Sequence, residues 1–317
     1  MLPSFLSFIQ IHWKGILRMA SRMTLMRRQE ERAGYAFLLP SLIGTIVFIV
    51  IPIFMSLILG FTEWNPMRGL SGMEFVGLDN YLELFHDDRV IAAVRNNLVY
   101  SFTYVPFTIC IALFIASLLN RFTYFKVPLR MMVFMPYVSS LVSVATVWMV
   151  LLYPDMGPIN SILHNVFGIE NPPTWFISSK WALPGIIMMS VWHDVGYYMI
   201  ILLANMQALP RDVYESAEID GANAWKTFFH ITVPMLRPSL FFCITLATIN
   251  SFKVFDQINI ITKGGPGFST TVLVQSIYYY AFQEFRISYA SAVALLLFVV
   301  IFFFSFVLQK IEKKLAY

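Results

Sequence analysis

Six apolar runs, at about 36–61, 94–119, 130–153, 183–206, 240–261 and 289–309, are each long enough to cross the roughly 30 Å hydrocarbon core of a bilayer as a helix. Inside lipid every backbone N–H and C=O needs a partner within the chain, so runs of this length imply helices and not open sheets. Hydrophobic residues make up 58% of the 317 and charged residues 13%, and the mean hydropathy is +0.69, which excludes an ordinary soluble domain. The expected fold class is an all-α membrane protein with six transmembrane helices. Val272 to Phe285 is too short and too rich in tyrosine for a seventh span and reads as an interfacial or re-entrant helix.

Basic residues near span ends stay on the cytoplasmic side. With the N-terminus inside, the inner segments carry 15 Lys and Arg and the outer segments six, with Lys253 inside the fifth run. Both termini and the 210–238 connection are therefore expected in the cytoplasm. Three parts follow: a basic N-terminal segment over 1–35, a spanning domain over 36–310, and a tail over 311–317. In the first, Gln10, Lys14, Arg18 and Arg22 recur every four residues, with Leu6, Ile9, Trp13 and Ile16 on another face. That pattern suits a helix in the inner headgroup layer, and a disordered tail remains equally open.

The two cysteines, Cys110 and Cys243, fall within runs and suggest neither a disulfide nor a metal site. No G-x-x-x-x-G-K-[ST] loop is present to cradle nucleotide phosphates, and no metal-ligand cluster or nucleophile–base pair marks an enzyme. Nothing points to nucleic acid. Gly264-Gly265-Pro266-Gly267 reads as a tight outer turn. Asp79 or Asn80 is expected to cap a short helix through Leu84, and Pro154 to Lys180 holds Trp175 and adjoins Trp181, which together suit an aromatic belt. These outer loops are either docking surfaces or plain connectors.

Between the fourth and fifth runs lies a polar, proline-bounded segment: Glu215-Ser216-Ala217-Glu218-Ile219-Asp220-Gly221-Ala222, then Phe228, Ile231, Pro234 and Pro238. Pro210 marks a helix start, and Asp212 with Glu215 is a capping pair for a helix through about Ala222. Gly221 then permits a sharp turn. A second short helix over Trp225 to Val233 is expected to stop at Pro234. The result is a compact plug with small residues and carboxylates, suited to a groove on another protein.

This spacing resembles the E-A-A-x-x-D-G-A…F…I…P…P loop in permease subunits of binding-protein-dependent ABC importers, in the maltose-type carbohydrate branch. Ser216 stands where that pattern has alanine. Thr262-Lys263-Gly264-Gly265-Pro266 and Gly77-Leu78-Asp79-Asn80-Tyr81 are similar to stretches of the same family. The resemblance implies a type I importer permease in the bacterial inner membrane, translocating a sugar or oligosaccharide. It implies four kinds of partner: a second permease, two ATPase subunits that bind ATP and Mg, an extracytoplasmic solute-binding protein, and lipid. It also implies that Glu215, Ser216, Ala217, Asp220, Gly221, Ala222, Phe228 and Pro234 couple to the ATPase. The chain itself is expected to bind no cofactor and no metal.

Polar groups inside spans need partners or a cavity. Asn250, Lys253 and Gln257 fall at spacings of three and four and are expected on one helical face, with Asp256 able to neutralise Lys253. Trp192, Asp194, Tyr197 and Tyr198 cluster in the fourth run, beside His193. Aromatic faces with amide and carboxylate groups suit a polyhydroxylated ligand. Each residue also has a plainer role open to it: packing for Trp192, an interior hydrogen bond for His193, a structural ion pair for Lys253 with Asp256. An unshielded Lys253 would favour an acidic saccharide. Two alternatives remain, an importer of glycerol-phosphate-like solutes and an ion-gradient transporter with Asp194, Lys253 and Asp256 as a proton relay.

Overall fold

A computed structural model describes residues 30–64, 69, 72–121 and 126–315. Of the basic N-terminal segment over 1–35, residues 1–29, and with them the amphipathic pattern from Leu6 to Arg22, lie outside the described residues. The chain divides into two units, 1–58 and 59–317, taken separately below.

The described residues of the first unit form one helix, α1 (Glu30–Leu59), which runs on through Leu59. It carries a π-turn at Ile46–Val50. Pro52 has no N–H and its ring crowds the carbonyl four residues back, at Phe48. The widened turn that contains Phe48 relieves both problems without ending the helix.

In the second unit a short hairpin, β1 (Thr62–Trp64) with β2 (Met73–Phe75), pairs Glu63 with Glu74 in register. It leads to α2 (Asp79–Leu84) and α3 (Asp88–Arg121). Asn80 does not cap α2, contrary to expectation. Its amide donates to the carbonyls of Gly60 and Thr62, at 3.1 and 2.9 Å, and Leu78 stands at the cap position without a side-chain bond. The buried amide is worth more tying the hairpin to α2 than serving a solvent-facing helix end.

The third apolar run is broken. Helices α4 (Lys126–Val138) and α5 (Leu141–Leu151) meet at 95°. With this bent pair counted as one span, six spans among the described residues are long and apolar enough to cross a membrane, as the apolar runs predicted. After α6 (Pro158–Asn165), the connection to the next span is held by Asn160, whose amide donates to Pro154 O and Pro173 O while its carbonyl accepts from Trp175 Nε1 at 2.7 Å. Trp175 and Trp181 meet edge to face at 5.9 Å.

Helix α7 (Ala182–Gln207) is apolar on almost every face, and such helices end up at the centre of a bundle. It packs against α3, α4 and α10. Gly196 sets the closest approach, since a Cβ built there would lie 2.3 Å from the Val133 carbonyl oxygen of α4. Only a residue without a side chain lets the two backbones come so near.

Then follow α8 (Arg211–Ile219), α9 (Ala224–Thr227), a π-turn over Phe228–Thr232, one helical turn at Val233–Met235, and α10 (Arg237–Phe252). The fifth run is interrupted at Lys253–Phe255 before α11 (Asp256–Ile261). The Gly264 turn is as expected, with positive φ at Lys263, Gly264 and Gly267. Thr271 donates to Gly264 O at 3.0 Å and Thr270 to Gly265 O at 2.8 Å, closing it.

Helix α12 (Leu273–Phe282) follows the turn. Leu273, Gln275, Ser276 and Tyr280 are buried, and the helix packs on α3 and α13 (Ile287–Leu315). The two helices are tied to the residue before α3: Tyr280 of α12 and Tyr289 of α13 both donate to Asp87 Oδ2, at 2.5 and 2.7 Å. Burial pushes the Asp87 carboxyl up, but these two bonds and the N–H groups of Val90 and Arg89 outweigh it and hold the group below the usual carboxylate range. Burial together with the same carboxylate pushes the Tyr280 phenol up.

Candidate functional site

Two places in the second unit concentrate polar chemistry: a tier around the middle of α7, and the elbow from Pro210 to Leu236.

The tier starts at Asp194, on α7. Its Oδ2 accepts from the hydroxyl of Tyr104 on α3 at 2.5 Å, and its Oδ1 lies 2.6 Å from His193 Nδ1. A carboxylate only accepts, so Nδ1 carries the proton. The remaining ring nitrogen, Nε2, is buried and has no protein partner. Tyr104 stacks on Tyr100 at 5.3 Å, one turn away on α3. Below them Gln257 of α11 is buried and donates to Tyr100 Oη at 3.4 Å and Ser190 Oγ at 3.2 Å, joining three spans. Tyr198 is buried and accepts from the Asn250 amide at 3.4 Å. Ser101 and Ser251 meet at 2.6 Å, and Asn97 takes the Leu273 N–H at 2.8 Å.

The expected single face of Asn250, Lys253 and Gln257 does not exist, because spacings of three and four share a face only on an unbroken helix. The interruption at Lys253–Phe255 turns Gln257 inward and leaves Asn250, Lys253 and Asp256 exposed. Among the described residues Lys253 and Asp256 form no ion pair. Trp192 stands apart from the tier. It faces Trp148 at 5.7 Å and lines an apolar cavity of about 460 Å³ with Met132, Val133 and Val195. Tyr197 is half-buried, on the same face as His193, and stacks on Tyr137 of α4 at 4.7 Å.

Sequence reasoning missed Tyr100, Tyr104 and Tyr137. The first two stand four apart in an otherwise apolar run, a signal that was available. Tyr137 had none, since His193 and Tyr197, which it meets across the helices, are more than 50 positions away.

The elbow is built differently. Asp212 and Glu215 do not cap α8: Pro210 occupies the cap position without a side-chain bond, and the Ser216 hydroxyl donates to Asp212 O at 2.8 Å. The helix stops at Ile219, short of Ala222, because Gly221 adopts φ +74 and the next residues turn back. Gly221 N–H reaches Glu218 O at 3.0 Å and Ala222 N–H reaches Ala217 O at 2.9 Å, the paired bonds of a Schellman closure. Asn223 caps α9 through Lys226 N at 2.9 Å. Nor does Pro234 stop the second arm. Its fourth preceding residue, His230, lies in the π-turn over Phe228–Thr232, so the chain carries on to Met235. Tyr214 and Thr232 hold the two arms together at 3.1 Å.

Ala217 is buried at the base of the elbow, while Glu215, Ser216, Glu218, Asp220 and Gly221 are exposed. So are three large apolar side chains: Ile219 at 87%, Trp225 at 71% and Phe229 at 56%. Phe228 lines two cavities, an apolar one of about 390 Å³ with Cys110, Phe114 and Trp225, and a more polar one of about 760 Å³ with Asn120, Tyr214 and Glu218.

A family profile described as binding-protein-dependent transport system inner membrane component matches residues 108–317, two thirds of the chain, including the elbow and the part of the tier on α7, α10 and α11. The chain belongs to this family. It is thus a permease, a multi-pass inner-membrane component of a binding-protein-dependent importer. The permease is 35% identical over 287 residues to the probable ABC transporter permease YesP of Bacillus subtilis, covering 89% of this chain and 91% of that protein. It is 31% identical over 293 residues to the trehalose/maltose transport system permease MalF of Thermococcus litoralis, covering 91% and 96%. Among solved structures, one chain of a bacterial ABC transporter involved in import of the acidic polysaccharide alginate superposes with a TM-score of 0.79 at 23% identity, over 90% of the permease and 96% of that chain. That likeness concerns the fold.

Proposed function

We propose that the permease carries a sugar or short oligosaccharide, delivered by an extracytoplasmic solute-binding protein, and that two separate ATPase subunits, which bind ATP and Mg, drive it. Both termini and the elbow face the cytoplasm in this reading, and a second, different permease completes the pathway. The observation that carries the coupling is the elbow: a self-closed turn presenting Glu215, Ser216, Asp220 and Gly221 beside exposed Ile219, Trp225 and Phe229. Exposed apolar groups of that size on a rigid polar turn mark a surface that another protein covers. Ala217, Ala222, Phe228 and Pro234 seat the turn on the spans. For the cargo, the support is the sugar relatives together with the aromatic, amide and carboxylate groups of the tier.

The reading stands or falls on uptake by proteoliposomes holding the whole importer with its binding protein. ATP-dependent entry of a labelled disaccharide from a panel of maltose, trehalose and lactose is expected. Entry of none would remove the sugar assignment. Exposed, unpaired Lys253 favours an acidic saccharide as a narrower cargo. Lys253→Met is then expected to slow uptake of a uronate-containing oligosaccharide at least tenfold more than that of a neutral one, and equal effects would end that idea.

A further inference from the structure

The second arm of the elbow has two unlike faces. Lys226 and His230 stand four residues apart and are exposed, with His230 Nδ1 lying 3.2 Å from Lys226 O. Trp225 and Phe229, also four apart, stack flat on each other, with ring centroids 5.9 Å apart and planes 8° from parallel. Aromatic side chains on one face and polar, basic ones on the next suit a segment lying in the membrane–water boundary. The aromatic face also has a wall opposite it. With Phe228 it forms one side of the apolar cavity of about 390 Å³, and Cys110, Phe114 and Leu118 of α3 form the other.

The depth of this groove decides what can fill it. Its α3 wall runs from Cys110 to Leu118, ahead of the helix end at Arg121, which places it roughly 5 to 16 Å from that end and within one half of the roughly 30 Å hydrocarbon core. Cys110, Phe114 and Leu118 are exposed there. At that depth the surrounding solvent is lipid, and a soluble protein does not reach it. The border of the groove is cationic. Between Ala224 and Arg237 the chain holds Lys226 and Arg237 and no carboxylate, and from Cys110 to Arg121 it holds no carboxylate either. Lys226 and Arg237 are exposed, and among the described residues neither forms an ion pair. An alkyl chain matches the walls, and a negative headgroup matches the border. Ile219 and the carboxylates of the first arm do not line the groove, and an occupant on the α3 side leaves the outer edges of Trp225 and Phe229 to the ATPase.

We infer that this groove is a binding site for an anionic membrane phospholipid, with one acyl chain lying between α3 and the second arm and the headgroup phosphate set against Lys226. It rests on the cytoplasmic placement of the elbow proposed above only for the choice of leaflet, the inner one. The assembled importer is reconstituted in phosphatidylcholine vesicles to which phosphatidylglycerol or phosphatidylcholine with brominated chains is added. Fluorescence quenching is compared between wild type and Trp225→Phe, the difference being the Trp225 signal. Half-maximal quenching of that signal is expected at a mole fraction of brominated phosphatidylglycerol roughly fivefold lower than of brominated phosphatidylcholine, the preference that one lysine at an anionic surface supplies. Lys226→Gln, read against Lys226→Gln with Trp225→Phe, is expected to bring the two lipids to parity, and a preference that survives it overturns the headgroup placement. Equal quenching in the wild type means ordinary boundary lipid, and no quenching means that a protein covers the groove; either overturns the inference. If Trp225→Phe fails to assemble, Phe114→Trp adds a reporter on the opposite wall, and its extra signal must show the same preference. Both leaflets carry the brominated lipid, so the quenching reads the groove whichever way the elbow faces. Should Asp220→Cys be labelled from outside intact cells by an impermeant thiol reagent, the cytoplasmic placement fails, while the lipid preference still decides the site.

Discussion

The tier around Asp194 and the elbow around Gly221 are both polar, yet they satisfy their polar groups in opposite ways. In the tier, apart from the contact between neighbours Asp194 and His193, the bonds cross between helices: Asp194 with Tyr104, Gln257 with Tyr100 and Ser190, Asn250 with Tyr198. In the elbow most bonds are local, closing Ala217 to Ala222, Asn223 to Lys226, and Ser216 to Asp212. A group buried among helices costs much when its partner is lost, because nothing replaces it. An exposed turn can lose a bond to water at little cost. The tier therefore holds the spans in register, and the elbow can move as a body without unravelling.

The comparison can be broken at four points. Gly196→Val should have the largest effect, about 3 kcal/mol or more, since the side chain meets Val133 backbone and not a yielding side chain. A drop in the melting temperature of the purified complex measures it, and an unchanged value would show that α4 does not rest on α7. Asp194→Ala comes next, at about 2 kcal/mol, for the Tyr104 hydroxyl and the His193 N–H left unpaired. Restoration by Asp194→Asn to an intermediate melting temperature would sharpen the assignment to hydrogen bonding. Gly221→Val should cost about 1 kcal/mol, for forcing a branched residue to φ +74, yet it should abolish substrate-stimulated ATP hydrolysis, as should Glu215→Lys. Normal stimulation in both variants would mean that the elbow does not couple.

The smallest effect concerns Asp87, outside both regions. Its folded-state pKa lies below the unfolded one, so the carboxylate contributes stability that is complete above about pH 4 and fades as pH falls through the folded value. Asp87→Asn is expected to lower the melting temperature at pH 7 and to flatten its decline below pH 4. A decline as steep as in wild type would assign acid sensitivity elsewhere.

Much of the elbow was legible because its signals are short-range. Gly221 at a turn and the small residue at Ala217 act within one helix turn of themselves. The errors there were equally local in kind: Pro234 reads as a stop only if the preceding turn is α-helical, and a π-turn removes the clash. The tier was half legible. Asp194, Tyr198, Asn250 and Gln257 announced themselves as polar groups in apolar runs, but the face they share was inferred from helical spacing. Three non-helical residues at Lys253–Phe255 reset that spacing, and no residue there signals the break as a proline would.

By itself the sequence determined the number of spans and the place of the elbow, because lipid forces each long apolar run into a helix whatever its neighbours are. Tertiary structure decided which polar groups meet. Tyr104 reaches Asp194 because α3 packs along α7, and Tyr137 covers Tyr197 because a missing side chain at Gly196 lets α4 come close to α7. Such partners depend on distances between helices, and helical periodicity carries no record of those distances.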